Sequence, residues 1–150
     1  MEKLKLKKKL FEQCIKQQMN TAESTKAVID DAQQSANDYG SPKDRYDSYR
    51  MQLLSRKDVY SKHLQSAIKE LDVLNKIDLK KEHNSVQFGS VVFTEQQRIF
   101  VSIGLGKIEL EEETYFAISP TVPFFQAMAG LKKGDSFIFR DKKIKIEDVF

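Results

Sequence analysis

The chain of 150 residues has one cysteine, no tryptophan, three prolines and six glycines, and its apolar residues never gather into a long run. A single thiol, Cys14, rules out an internal disulfide and any cysteine-rich zinc site, and it suits a reducing compartment. No stretch is long and apolar enough to read as a membrane span. The lysines from Lys3 to Lys9 are not followed by an uncharged apolar segment ending in small residues, so a secretory leader is not expected and a cytoplasmic location is. Charge of one sign is scarce too. Lys plus Arg number 25 against 22 Asp plus Glu, for a net charge of +3. Residues 1–82 hold 17 cations against 13 acids and residues 83–150 hold 8 against 9. Neither part has the dense basic face of a free-standing nucleic-acid binder, which favours a protein partner. The lysines near the start read as a solvated face.

The few helix breakers are unevenly placed. Residues 1–78 contain one glycine, Gly40, and one proline, Pro42, which flank a single break between two long stretches. Before the break Leu4, Phe11, Gln18, Thr25 and Ala32 recur every seven residues, with Ile15, Ala22, Ile29 and Ala36 beside them. After it Tyr46, Leu53, Tyr60, Ala67 and Leu74 repeat at the same spacing, joined by Leu64 and Leu71. This pattern predicts an antiparallel helical hairpin, a coiled coil, that projects. Gly40 suits the left-handed end of the first helix, Ser41 the N-cap of the second and Pro42 its first position. Asp44 then stands where a capping-box acid sits. Gln18, Thr25, Arg50 and Lys57 interrupt the apolar stripes, so a partly polar seam is expected.

From Val86 onward β-branched and aromatic residues come in short runs. Val86–Phe93, Gln97–Ile103, Glu113–Ile118, Asp135–Phe139 and Lys142–Val149 read as strands. Pro123–Gly130 reads as one short helix, begun by proline and stopped by glycine. The polar segment 79–85 reads as a linker. The fold class is therefore α+β: a hairpin at 1–78, a linker, and a small β-sheet domain with one short helix at 86–150.

Self-contained chemistry is thin. Cys14 lies in the apolar stripe and His63 on the other helix, so packing is preferred to a reactive thiol pair. His83 stands alone in the linker, and two histidines without a third ligand in register make no metal site. Gly104-Leu105-Gly106 lacks the third glycine and long helix of a dinucleotide fingerprint. Glu109–Glu113 reads as an exposed loop edge entering a strand.

The segment Ile118–Asp135, with its Thr121-Val122-Pro123-Phe124-Phe125 stretch and its Gly130-Leu131-Lys132-Lys133-Gly134-Asp135 turn, resembles the strand, short helix and turn of the bacterial Gre transcript-cleavage factors. The segment aligns without gaps, and Lys142–Phe150 fits the closing strand of the same domain. The resemblance implies an FKBP-like C-terminal domain that docks on RNA polymerase and a hairpin that enters its secondary channel. It implies a cytoplasmic, monomeric factor that is not itself an enzyme, has no cofactor of its own and binds neither free nucleic acid nor membrane.

In that family an acidic pair at the hairpin tip helps hold a second magnesium ion in the polymerase active centre, where two metals stabilise attacking and leaving oxygens. The family's Asp-x-x-Glu element is missing from Asn37-Asp38-Tyr39-Gly40-Ser41-Pro42-Lys43-Asp44-Arg45-Tyr46, although Tyr46 and Arg50 keep the family's spacing. Asp38 and Asp44 are the nearest substitutes for a transient magnesium site. Each also has an ordinary role open to it, Asp44 as a cap and Asp38 as a solvated residue. In the family's polymerase-docking loop, Thr121, Val122 and Pro123 occupy the positions of a polar residue, Ser and Pro, and Phe124 follows as a candidate anchor. Either one of Phe124 and Phe125 stays near the surface or both enter the core. Two rival functions are an FKBP-like peptidyl-prolyl isomerase, which the lack of tryptophan disfavours, and a coiled-coil interaction adaptor.

Overall fold

The computed structural model describes residues 2–39 and 48–150. The break at Gly40 to Pro42, its capping assignments and Asp44 lie outside the described residues. The element order is α1 (Glu2–Tyr39), α2 (Ser48–Leu74), β1 (Val91–Thr94), β2 (Arg98–Val101), β3 (Gly106–Leu110), β4 (Glu113–Ile118), α3 (Pro123–Met128), β5 (Ser136–Phe139) and β6 (Lys142–Val149). The chain forms two compact units, one of Met1–Lys16 with Asp72–Phe150 and one of Gln17–Leu71. No helix among the described residues is long and apolar enough to cross a membrane.

The Gln17–Leu71 unit is an antiparallel helix pair. Gln18 Nε2 donates to the Ala67 carbonyl at 3.2 Å, Lys57 Nζ to Gln33 Oε1 at 2.7 Å and Arg50 Nη1 to the Ala36 carbonyl at 3.2 Å, so partners on α2 move backward as those on α1 advance. Among its described residues Ala32, Ala36 and Ala67 are the buried apolar ones, and Gln18 is buried with them. The seam is therefore built from small and polar side chains. Of the four residues that break the apolar stripes, Gln18, Arg50 and Lys57 hydrogen-bond across the seam, while Thr25 Oγ1 donates to the Thr21 carbonyl of its own helix at 2.8 Å.

The other unit contains a six-stranded mixed sheet of order β3-β4-β2-β1-β6-β5. β2 and β4 run parallel, and the other neighbouring pairs are antiparallel. Strand alternation sends Val92, Ile99, Val101, Ile144, Ile146 and Phe137 to one face, where Met128 of α3 joins them. The opposite face carries Phe93, whose ring meets those of Phe150 at 5.4 Å and Tyr115 at 6.5 Å. The first turns of α1 cover this second face. Lys3 pairs with Asp148 at 3.1 Å and lies over the Phe150 ring at 5.6 Å, and Lys9 pairs with Glu111. Leu10, Cys14, Leu74 and Ile77 are buried in the same unit. These compact units do not follow the expected boundary at residue 78. Segment 79–85 lies within the sheet-bearing unit, with His83 buried and the Lys81 carbonyl accepting from Lys7 Nζ at 2.9 Å.

Three local expectations are corrected. Glu109 and Leu110 belong to strand β3, and the hairpin to β4 turns on Glu111 and Glu112 alone, at φ of 51° and 66°. Two successive left-handed residues make the primed turn that matches strand twist, and two glutamates do not advertise it. Residues 86–90 are not strand. Ser90 Oγ donates to the Gln87 carbonyl at 2.7 Å and Gly89 adopts φ of 89°, so the backbone turns before β1 begins at Val91. The short helix stops at Met128, with Ala129 already extended at ψ of 132° and Gly130 left-handed at φ of 78°.

Candidate functional site

The segment from Ile118 to Asp135 leaves the end of β4, turns, forms α3 and returns towards β5. Its turn is tied locally. Ser119 Oγ lies 2.9 Å from Thr121 Oγ1, accepts the Thr121 amide at 3.2 Å, and the Ser119 carbonyl accepts the Val122 amide at 3.3 Å. Val122 is the extended N-cap of α3 and makes no side-chain cap bond, while Pro123 fills the first helical position, where its missing N–H costs nothing. Thr121 and Pro123 are exposed and Val122 is half-buried.

Phe124 is not a free surface ring. It is half-buried and meets Phe137 edge to face at 5.6 Å and Phe139 at 5.0 Å. Phe125 is half-buried as well, and both rings pack against the core cluster beneath α3. Of the two alternatives for this pair, the structure has both rings engaged with the core. Residues Thr121 to Pro123 thus form the solvent-facing part of the loop, and Phe124 holds it to the sheet.

The turn after α3 explains its Gly-Asp ending. Asp135 Oδ2 accepts the Lys132 amide at 2.8 Å, and the Asp135 amide donates to the Lys132 carbonyl at 2.9 Å. Gly134, at φ of 92°, sends its amide to the Ile146 carbonyl at 2.8 Å. A carboxylate of this length closes the turn on itself, and glycine takes the conformation other residues resist.

At the far end of α1, Asp38 is exposed and its Oδ1 accepts Gln34 Nε2 at 2.8 Å. Asp44, its expected companion, lies outside the described residues. Among the described residues no group of three His, Cys, Asp or Glu side chains could hold a metal ion. Asp38 is a single carboxylate already engaged by Gln34, and no chemical step follows from it.

One feature of the sheet-bearing unit escaped the sequence reading. Arg98 lies over the rings of Phe93 at 5.3 Å and Tyr115 at 5.8 Å and pairs with Glu113. Burial raises the Tyr115 phenol above its ordinary pKa; Arg98 opposes that shift. These side chains wall a hollow of about 480 Å³ whose other lining includes Lys5, Lys9, Glu2 and Glu111. Cations and acids balance there, so it prefers ligands of neither sign. Cys14 is buried, as its place in the apolar stripe implied, and burial pushes its thiol up to about 12, with Ser102 beside it offsetting part of the shift. A thiol held protonated is packing, not a nucleophile. His63, by contrast, is exposed and stands edge to face with Tyr60 at 5.7 Å.

No known family profile matches the chain, and no curated protein does. Among solved structures it is similar to one described as the transcription factor Gfh1, at 18% identity over 90% of this chain and 92% of that one, with a TM-score of 0.34. It is similar also to GreA factor homolog 1 of Thermus thermophilus, at 15% identity over 91% of this chain and 94% of that one, with a TM-score of 0.33. Both likenesses are coarse.

Proposed function

We propose that this chain is a Gre-like factor that binds RNA polymerase and modulates transcript elongation, with its helix pair entering the secondary channel. The observation that carries the reading is the ungapped resemblance of Ile118–Asp135 to the docking segment of Gre factors. In support, the loop at its head is tied by Ser119 while Thr121 and Pro123 stay exposed. A loop ordered before contact loses less entropy on docking. The protein is not an enzyme in this reading. It is a monomer in the cytoplasm, binds no free nucleic acid, and any magnesium at its tip belongs to the polymerase. Because the family's Asp-x-x-Glu element is missing, the factor occupies the channel as a modulator and does not stimulate RNA cleavage.

The test is retention on immobilised core polymerase, compared with a Thr121→Ala, Pro123→Asp double variant. Aspartate is well suited to the first turn of a helix, so the variant is expected to fold. Wild-type retention, with affinity lowered by about tenfold or more in the variant, is the expected result for contacts at an interface centre. A wild type that washes off the polymerase would end the proposal. Turnover of a prolyl peptide by the same preparation would move the assignment to an isomerase.

A further inference from the structure

Strand β5 is one edge of the sheet. The Ile146 amide donates to the Asp135 carbonyl at 2.8 Å, and Asp135 precedes the register pairs Phe137↔Ile144 and Phe139↔Lys142. Hydrogen-bonded pairs alternate along an antiparallel ladder, so Phe137 and Phe139 bond to β6 while the N–H and C=O of Ser136 and Ile138 point off the sheet. Among the described residues no backbone partner takes them. The Ile138 side chain, opposite in sense to buried Phe137, is 71% exposed, the most exposed large hydrophobic residue described. Here an apolar side chain and open backbone groups coincide.

The charge around this edge is predominantly positive. Lys132, Lys133, Arg140, Lys142, Lys143 and Lys145 are all exposed, and none forms an ion pair among the described residues. Residues 132–145 hold these six cations against Asp135 and Asp141, for +4, whereas the rest of residues 83–150 holds two cations against seven acids, for −5. Lys143 and Lys145 lie opposite Ile138 and Ser136 in register, on the sheet face away from α3. Such an edge repels its own copy, since a second chain would bring the same excess of cations. It favours an extended strand of opposite charge.

We infer that β5 is a strand-addition site for an extended, acidic segment of a partner protein, in which backbone bonds to Ser136 and Ile138 supply register and Lys143 and Lys145 select acidic side chains. This inference rests on the sheet edge alone and is independent of the polymerase reading. The probe is a labelled heptapeptide of alternating glutamate and valine, titrated into the full-length protein, with a lysine-valine peptide and a single-stranded RNA oligonucleotide as comparisons. Binding of the acidic peptide is expected to slow amide exchange at Ser136 and Ile138, which mere surface attraction would not do. Lys143→Glu with Lys145→Glu is expected to weaken it by about tenfold or more through charge. Ile138→Pro removes an edge N–H that β6 does not use, so it spares the fold and is expected to weaken binding by a similar factor. The inference is overturned by no binding at millimolar peptide, by binding without amide protection, by indifference to Ile138→Pro in a folded variant, or by equal or tighter binding of either comparison ligand.

Discussion

Lys7 is fully buried in the sheet-bearing unit, with its Nζ on the Lys81 carbonyl and the carboxylates of Asp78 and Glu82 near enough to act on it. Burial lowers its pKa from 10.5 to about 8, and Glu82 and Asp78 oppose the shift. A lysine whose folded pKa lies below its unfolded value binds more protons when unfolded across that window. Stability therefore rises as pH climbs from about 8 to 10.5, and the charged form exacts its full cost below it. At roughly 1.4 kcal/mol per pKa unit, the rise is on the order of 3 kcal/mol. Lys7→Met should flatten it, measured as the difference in urea-unfolding free energy between the two ends of that window. An unchanged pH dependence would mean that Lys7 is not its source. His83 acts in the same sense at lower pH. Burial, then Lys7 and Lys81, lowers its pKa, against Asp78, so stability is lost as pH falls below its ordinary 6.5. Phe124 offers a second test at this scale. Because its ring is wedged between Phe137 and Phe139, Phe124→Ala should cost about 3 kcal/mol. Exposed Thr121→Ala should cost about 0.5 kcal/mol or less. Equal costs in thermal unfolding would contradict this division between anchor and surface.

At the scale of elements, the two short hairpins are closed by residues that dislike their conformation. Glu111 and Glu112 stand at φ of 51° and 66°, and Arg140 and Asp141 at 52° and 66°. For residues other than glycine, left-handed backbone costs on the order of 1 kcal/mol each, so the flanking strand pairs must impose it. Glu112→Gly relieves one such residue while leaving Glu111 free to pair with Lys9. It is expected to raise stability by about 0.5–1 kcal/mol after the extra chain entropy of glycine is allowed for. The measurement is the urea midpoint, and a lower midpoint would show that Glu112 has a compensating contact. The helix pair makes a related point. Gln18, Arg50 and Lys57 interrupt an apolar pattern in sequence and bridge the helices in space. Each such bond contributes on the order of 1 kcal/mol, so alanine packing and these bonds share the seam.

Across the whole molecule, the proposed function places a helix pair that lacks the family's Asp-x-x-Glu element in a channel where a suitably spaced acidic pair would be needed to bring metal. Asp38 is satisfied by Gln34 and stands as a single carboxylate in the last described turn of α1. The protein is therefore expected to leave the rate of RNA cleavage in backtracked elongation complexes within about twofold of polymerase alone, and Asp38→Asn to behave as wild type. Magnesium-dependent stimulation that Asp38→Asn abolishes would reverse the assignment.

Much of this molecule was determined by sequence alone, for identifiable reasons. Heptad spacing and the lone Gly40 and Pro42 were sufficient for two long helices, since a helix is specified by periodicity and interrupted only by breakers. The runs of β-branched residues marked most strands, and Pro123 marked the start of α3. The Ile118–Asp135 segment was legible because its turn chemistry is local: Asp135 closes on Lys132 within four residues. Tertiary structure decided the rest. Strand β3 and the turn at Glu111 and Glu112 exist because β4 pairs with that segment, which overrides the preference of glutamate. The burial of Lys7 and His83 depends on neighbours some seventy residues apart in the chain, beyond the reach of any local pattern. The same holds for Phe124 and Ile138: one is an apolar residue beside the sheet and the other an apolar residue in it, and only the packing of α3 on one face draws the ring inward and leaves the other side chain in water.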